Sequence, residues 1–140
     1  MGDFPNVPQS WNELVALRDY LTDCDPQFLR KKEDRDKYDK YQSSLPRDEF
    51  IQMITSKFQD KKIALIENIF PHTNVLQDLP DVEHYCLWSM EGELPNEKIK
   101  EIVEEKFKKV NWISMTRKEG KVSVAEIWHS HIYIQNKQYV

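Results

Sequence analysis

The run Trp128-His129-Ser130-His131-Ile132-Tyr133-Ile134-Gln135 constrains the fold more than any other segment of the chain. Its β-branched and aromatic residues read as a strand, and strand side chains alternate between faces. Trp128, Ile132 and Ile134 then project to one side, and His129, His131 and Tyr133 to the other. The first face must be buried, so the strand belongs in a sheet with an apolar layer behind it. The second carries two imidazoles, the side chains that most readily change charge or bind a metal near neutral pH. It reads as a wet face carrying a site.

The elements before this strand set the fold class. Ser10-Trp11-Asn12-Glu13 is a capping box, followed by an apolar stripe of Trp11, Leu14, Val15, Leu17 and Leu21. Asp25-Pro26 starts a second helix that runs to about Tyr41, with Asp25 as N-cap and Pro26 in the first helical position. The charges from Arg30 to Lys40 mix signs, with Glu33-Lys37 and Asp36-Lys40 at i, i+4 spacing, and predict a solvated face. Leu45-Pro46 opens a third helix with Phe50, Ile51, Ile54 and Phe58 at the helical period. Ile63 to Phe70 fits either a buried strand or a helix turn, and 71–81 is a loop. His84 to Met90 is a strand. A fourth helix carries Ile99, Ile102, Val103, Phe107 and Val110. Asn111 to Thr116 is another strand, and Gly120 supplies a turn with positive φ. Helices first, then strand, helix, strand, strand predicts an α+β fold: N-terminal helices on a small, mainly antiparallel sheet, with one helix crossing between strands.

A chain of 140 residues fits a single domain over 1–140, with 1–9 as a flexible lead-in. The net charge of −4, with acidic and basic residues interspersed, gives no field to draw in nucleic acid or an anionic membrane. Cys24 and Cys86 lie far apart and form no Cys-x-x-Cys pair, so neither a disulfide framework nor a zinc knuckle is signalled. No apolar run reaches membrane-spanning length, and Met1-Gly2-Asp3-Phe4-Pro5 lacks the character of a signal peptide. The expected setting is cytoplasmic, with the nucleus as alternative.

Three segments form a series: Asn68-Ile69-Phe70-Pro71-His72, Leu79-Pro80-Asp81-Val82-Glu83-His84-Tyr85-Cys86-Leu87-Trp88-Ser89, and Ser123-Val124-Ala125-Glu126-Ile127-Trp128-His129-Ser130-His131-Ile132-Tyr133. The series resembles the fungal N-acetylglucosamine-induced protein family, over most of the chain. That family carries Asn-x-Phe-Pro-Tyr, then Asp-Val-x-His-Tyr followed by an apolar pair and Trp, and finally Ser-Val-Pro before Trp-His-x-His. Trp11, Leu14, Tyr38 and Tyr41 also fit. His72, Cys86 and Ala125 depart from it, standing where the family has Tyr, an aliphatic residue and Pro. The resemblance singles out Asn68, Phe70, Pro71, Asp81, His84, Tyr85, Trp88, Ser123, Trp128, His129 and His131. It implies a link to amino-sugar metabolism or signalling and assigns no reaction.

If the His84 strand lies beside the His129 strand, then His84, Cys86 and Trp88 share a face with His129, His131 and Tyr133, since neighbouring strands are under about 5 Å apart. His84, His129 and His131 then form a candidate metal site that suits zinc, and Cys86 is a less favoured fourth ligand. His129 and His131 are the candidate catalytic groups. Asn68, Asp81, His84, Tyr85, Trp88, Trp128 and Tyr133 are the candidate ligand-binding set, although both tryptophans also read as core. Three readings of the imidazoles stay open: structural rings bonded to backbone or to Asp81, Glu83 or Glu126, ligands for a metal or anion, and acid–base or nucleophilic groups. The resulting function is a small-molecule or metal-binding protein, with an enzyme within its scope. The competing class is a protein–protein interaction module. Histidine-triad nucleotide chemistry is a third reading, with Tyr133 where that arrangement needs an imidazole.

Overall fold

The computed structural model describes residues 5–59 and 61–135. Ser10 caps α1 (Trp11–Leu21), its hydroxyl accepting the Glu13 amide at 3.2 Å. The Glu13 carboxylate reaches back to the Gln9 amide at 3.0 Å, one residue before the cap itself. Of the expected flexible lead-in, residues 1–4 lie outside the described residues. Pro8 is buried, Val7 packs on a core cluster, and Gln9 donates to Asp78.

The expected second helix is two elements. Asp25 caps a single 3-10 turn, Pro26–Phe28, and α2 runs Lys32–Ser43. The break has a tertiary cause: the Asn74 side chain donates to the Phe28 carbonyl and the Asn74 amide to the Leu29 carbonyl. Those carbonyls no longer serve a continuing helix, and Lys31 turns extended. α2 itself buries no residue, as its mixed charges predict, but Phe28, Leu29 and Arg30 ahead of it are buried. α3 (Arg47–Ser56) buries Phe50 and Ile54.

The sheet is antiparallel, in the order β1-β2-β4-β3, from β1 (Ile63–Glu67), β2 (Val82–Ser89), β3 (Asn111–Met115) and β4 (Trp128–Gln135). α4 (Asn96–Lys106) carries the chain from β2 across to β3, leaving between them the position that β4 fills. Gly120, at φ +85°, makes the turn after β3. The architecture is the expected α+β one.

Register fixes which side chains share a face. His84 pairs with Tyr133, Cys86 with His131 and Trp88 with His129, so these six lie together. The opposite face of Leu87, Ile132 and Ile134 packs on Ile99 and Val103 of α4. Burying such aliphatic side chains contributes about 1.5–3 kcal/mol each.

The histidine face is not wet. One apolar cluster covers one end of it, with Leu14 and Leu21 of α1, Val75, Leu79, Met115 and Tyr133. Another covers the far end, with Phe50 and Ile54 of α3, Phe58, Val124 and Ile127. The imidazoles occupy the gap between the two clusters.

Candidate functional site

Each ring's place follows from its backbone. His84 comes from β2, and His129 and His131 from β4. His72 comes from the 71–81 loop, which folds over the sheet where Asn74 ties it to the residues before α2. All four are buried, between 1 and 8 % exposed. His72 and His84 ring centroids are 4.2 Å apart, His72 and His131 4.5 Å, and His84 and His131 5.0 Å.

The hydrogen bonds assign the protons. The backbone amide of His72 donates to His84 Nδ1 at 3.1 Å. A peptide N–H can only donate, so His84 Nδ1 is an acceptor and the proton of the neutral ring sits on Nε2. That Nε2–H donates to His131 Nδ1 at 2.8 Å, which leaves the proton of neutral His131 on its own Nε2. His129 is oriented independently. Its Nδ1 lies 3.1 Å from the Ile127 carbonyl, which can only accept, so Nδ1 carries the proton and Nε2 keeps a free lone pair.

Burial disfavours the charged form, and the rings also repel one another's charge, so His72, His84 and His131 are held well below the ordinary imidazole value of 6.5. Burial also lowers His129, against an opposing contribution from its bond to Ile127. Near neutral pH His129 and His131 therefore present complementary groups, an acceptor and a donor, and both line the same cleft.

That cleft has a cavity volume of about 80 Å³ and opens to solvent at its mouth. Its walls are largely apolar, with Tyr38 and Tyr41 of α2 packed on Phe70, and Trp88 lying 4.4 Å from the His129 ring. Asn68 accepts the Phe70 amide at 2.8 Å, which turns its Nδ2 toward Cys86 Sγ at 3.3 Å. Nδ2 is also 3.4 Å from His84 Nε2, but both nitrogens carry hydrogen, so no bond joins them. Burial pushes the Cys86 thiol up to about 12.

The candidate residues divide. His84, His129, His131, Asn68, Trp88 and Cys86 lie together on the histidine face or its rim. Tyr133 is on that face but fully buried, with its hydroxyl 2.5 Å from His72 Nδ1. Tyr85 is not at the site: it neighbours His84 in β2, so it faces the other way and packs edge-on against Phe107. Trp128 is excluded by the same alternation and packs in the α4 cluster. Asp81 sits at the strand end, accepting from Gln135 at 2.8 Å. Glu126 does not partner an imidazole; it pairs with Arg47 and so ties the start of α3 to the 123–126 segment over His129.

The imidazoles close enough to share a metal are His72, His84 and His131, with one nitrogen of each within 4.8 Å of the others. His129 is outside that set, its ring 5.5 Å from His131. His84 as bonded here offers no lone pair, because Nδ1 accepts the His72 amide and Nε2 carries the proton. An ion would have to displace one of those hydrogen bonds.

Two residues at the site carry no signal in the sequence that marks them as site residues. His72 departs from the motif of the resembling family and stands in a loop where no periodicity assigns a direction. Arg30 opens a charge run that reads as solvated, yet it is buried.

No family model matches this sequence, and neither does any curated protein. The crystal structure of HTC1 is similar in three dimensions, with a TM-score of 0.55 and 18 % identity, covering 91 % of this chain and 85 % of that one. That likeness concerns the fold. No helix among the described residues is long and apolar enough to cross a membrane.

Proposed function

We propose that this chain binds a hydroxylated small molecule in the cleft beside His129 and His131. The observation that carries the reading is the fixed and opposite character of the two rings. A hydroxyl both donates and accepts, so it can give its proton to His129 Nε2 and take that of His131 Nε2–H. Apolar walls, part aromatic, with a few convergent polar groups are what small-molecule sites are built from. Sugars and amino sugars combine hydroxyls with apolar ring faces, which agrees with the amino-sugar link that the motif series implies. The same base, oriented by the Ile127 carbonyl, suits general acid–base chemistry on a bound hydroxyl.

The test is a thermal-shift and calorimetric screen of free sugars, amino sugars including N-acetylglucosamine, and polyols. A ligand of this class should raise the midpoint of the wild type. The rise should vanish in His129→Ala and survive in part in His129→Gln, whose amide retains an acceptor. A panel with no effect on the wild type would overturn the reading.

A second reading is favoured by the proximity of His72, His84 and His131: a metal ion, with zinc the natural choice for three nitrogens and an open position. Elemental analysis of protein purified without a metal-affinity tag reads it directly. One zinc per chain, lost in His131→Ala and kept in His129→Gln, would support it.

A further inference from the structure

A second opening lies between the segment leading into α2 and the 117–123 turn, and His129 and His131 line it as well. In a chain of net charge −4, this opening is locally basic. Arg30, Arg35, Arg117 and Lys121 border it, against one carboxylate, Asp39. Arg117 has a structural task, donating to the Leu21 and Cys24 carbonyls at 2.6 and 2.7 Å. The terminal nitrogens of Arg30 have no such partners among the described residues.

Arg30 is 8 % exposed. Its Nε donates to the Phe70 carbonyl at 2.8 Å, and its guanidinium lies 4.1 Å above the Tyr38 ring. Tyr38 is itself held by a 2.7 Å bond between its hydroxyl and that of Ser123. Among the described residues no ion pair includes Arg30, and no acceptor bonds its two terminal nitrogens. Buried charges are ordinarily paired, because an unpaired one forfeits its hydration without return. Here one edge of the guanidinium and its face are fixed while the fork is left open, which is the geometry that receives two oxygens of one anionic group.

We propose that this opening binds the phosphate group of a phosphomonoester, with Arg30 as the central contact and Arg35 and Lys121 completing the charge. A phosphomonoester carries close to two negative charges at neutral pH, and so offsets more of the positive charge that Arg30, Arg35, Arg117 and Lys121 leave over Asp39 than the single charge of a carboxylate does. The inference rests on the preceding reading for the remainder of the ligand, whose hydroxyl groups would meet His129 and His131.

The probes are inorganic phosphate, acetate, glucose and glucose 6-phosphate, titrated into isotopically labelled full-length chain while the Arg30 Nε–H and the His129 and His131 ring signals are followed by NMR. Phosphate alone should shift the Arg30 signal saturably, and at least tenfold more tightly than acetate. Glucose 6-phosphate should outbind glucose by at least tenfold. Arg35→Gln combined with Lys121→Gln, at a half-buried and an exposed position, should weaken phosphate at least tenfold. Phosphate that moves Arg30 while no sugar moves the imidazoles would uphold the phosphate site and remove the hydroxyl reading. An Arg30 signal indifferent to phosphate in the wild type, equal binding of acetate, or phosphate binding unaltered in the double variant would overturn the inference.

Discussion

The backbone amide of His72 donates to Nδ1 of His84 across 3.1 Å. That bond sets the direction of the chain of protons that ends on His131. His84→Phe keeps much of the volume but leaves the His72 amide without its acceptor and His131 Nδ1 with only Cys86 Sγ, at 3.6 Å. Each unsatisfied buried group costs about 1–3 kcal/mol, so the midpoint should fall by on the order of 10 °C. A variant within about 1 kcal/mol of the wild type would show that the relay contributes little.

The folded rings stay neutral where the unfolded chain takes up protons, so below pH 6.5 the unfolded state binds more protons and stability declines as pH falls. The stabilisation is fully present above 6.5 and is lost by about 1.4 kcal/mol per pH unit for each such ring, until its own folded value is reached. Denaturant titrations between pH 7.5 and 5 should show this slope, and His131→Gln should flatten it. A pH-independent stability over that range would contradict the assigned neutrality.

Cys24 and Cys86 are both free and buried, and burial raises both thiols. The thiolate is the reactive form. Iodoacetamide at pH 8 should leave the folded chain unmodified and add two labels after denaturation, as read by intact mass. Rapid native labelling of Cys86 would place it in contact with solvent.

Arg117 joins the end of β3 to the end of α1 through the Leu21 and Cys24 carbonyls. Hydrogen bonds from a charged donor contribute about 1.5–3 kcal/mol each. Arg117→Met should therefore lower stability by about 3 kcal/mol in chemical denaturation, and Arg117→Lys should recover only part of it, since one ammonium cannot reproduce the fork. Full recovery by Lys would mean that charge alone matters there.

Period-2 alternation in Trp128–Gln135 and the 3.6-residue stripe of α4 were legible in the sequence, because both are local patterns that tertiary structure only completes. The break before α2 was not, because its cause is Asn74, more than forty residues away. His72 and Arg30 were hidden for the same reason: a loop histidine and the first residue of a charge run have no periodicity to show which way they turn. Tyr85 and Trp128 lie away from the cleft for a different reason. Each neighbours a site histidine in its strand, so alternation alone places it on the opposite face, and a motif that joins adjacent residues is blind to that. The covered state of the histidine face also escaped, since the covering residues come from α1, α3 and two loops.

Among the described residues β4 is the last strand in chain order, and it lies between β2 and β3. During synthesis, β2, α4 and β3 leave the ribosome with a vacant lane where the sheet's middle will be. His72 and His84 are already present, but His131 is not, so the relay has no receiving ring and the cleft lacks its donor and its base. Closing that lane requires contacts far apart in sequence, which are slow to form. A chain that has not inserted β4 can bring His72 to His84 and can carry Arg30, Arg35 and Lys121, but it has neither His129 nor His131 to offer a ligand's hydroxyl.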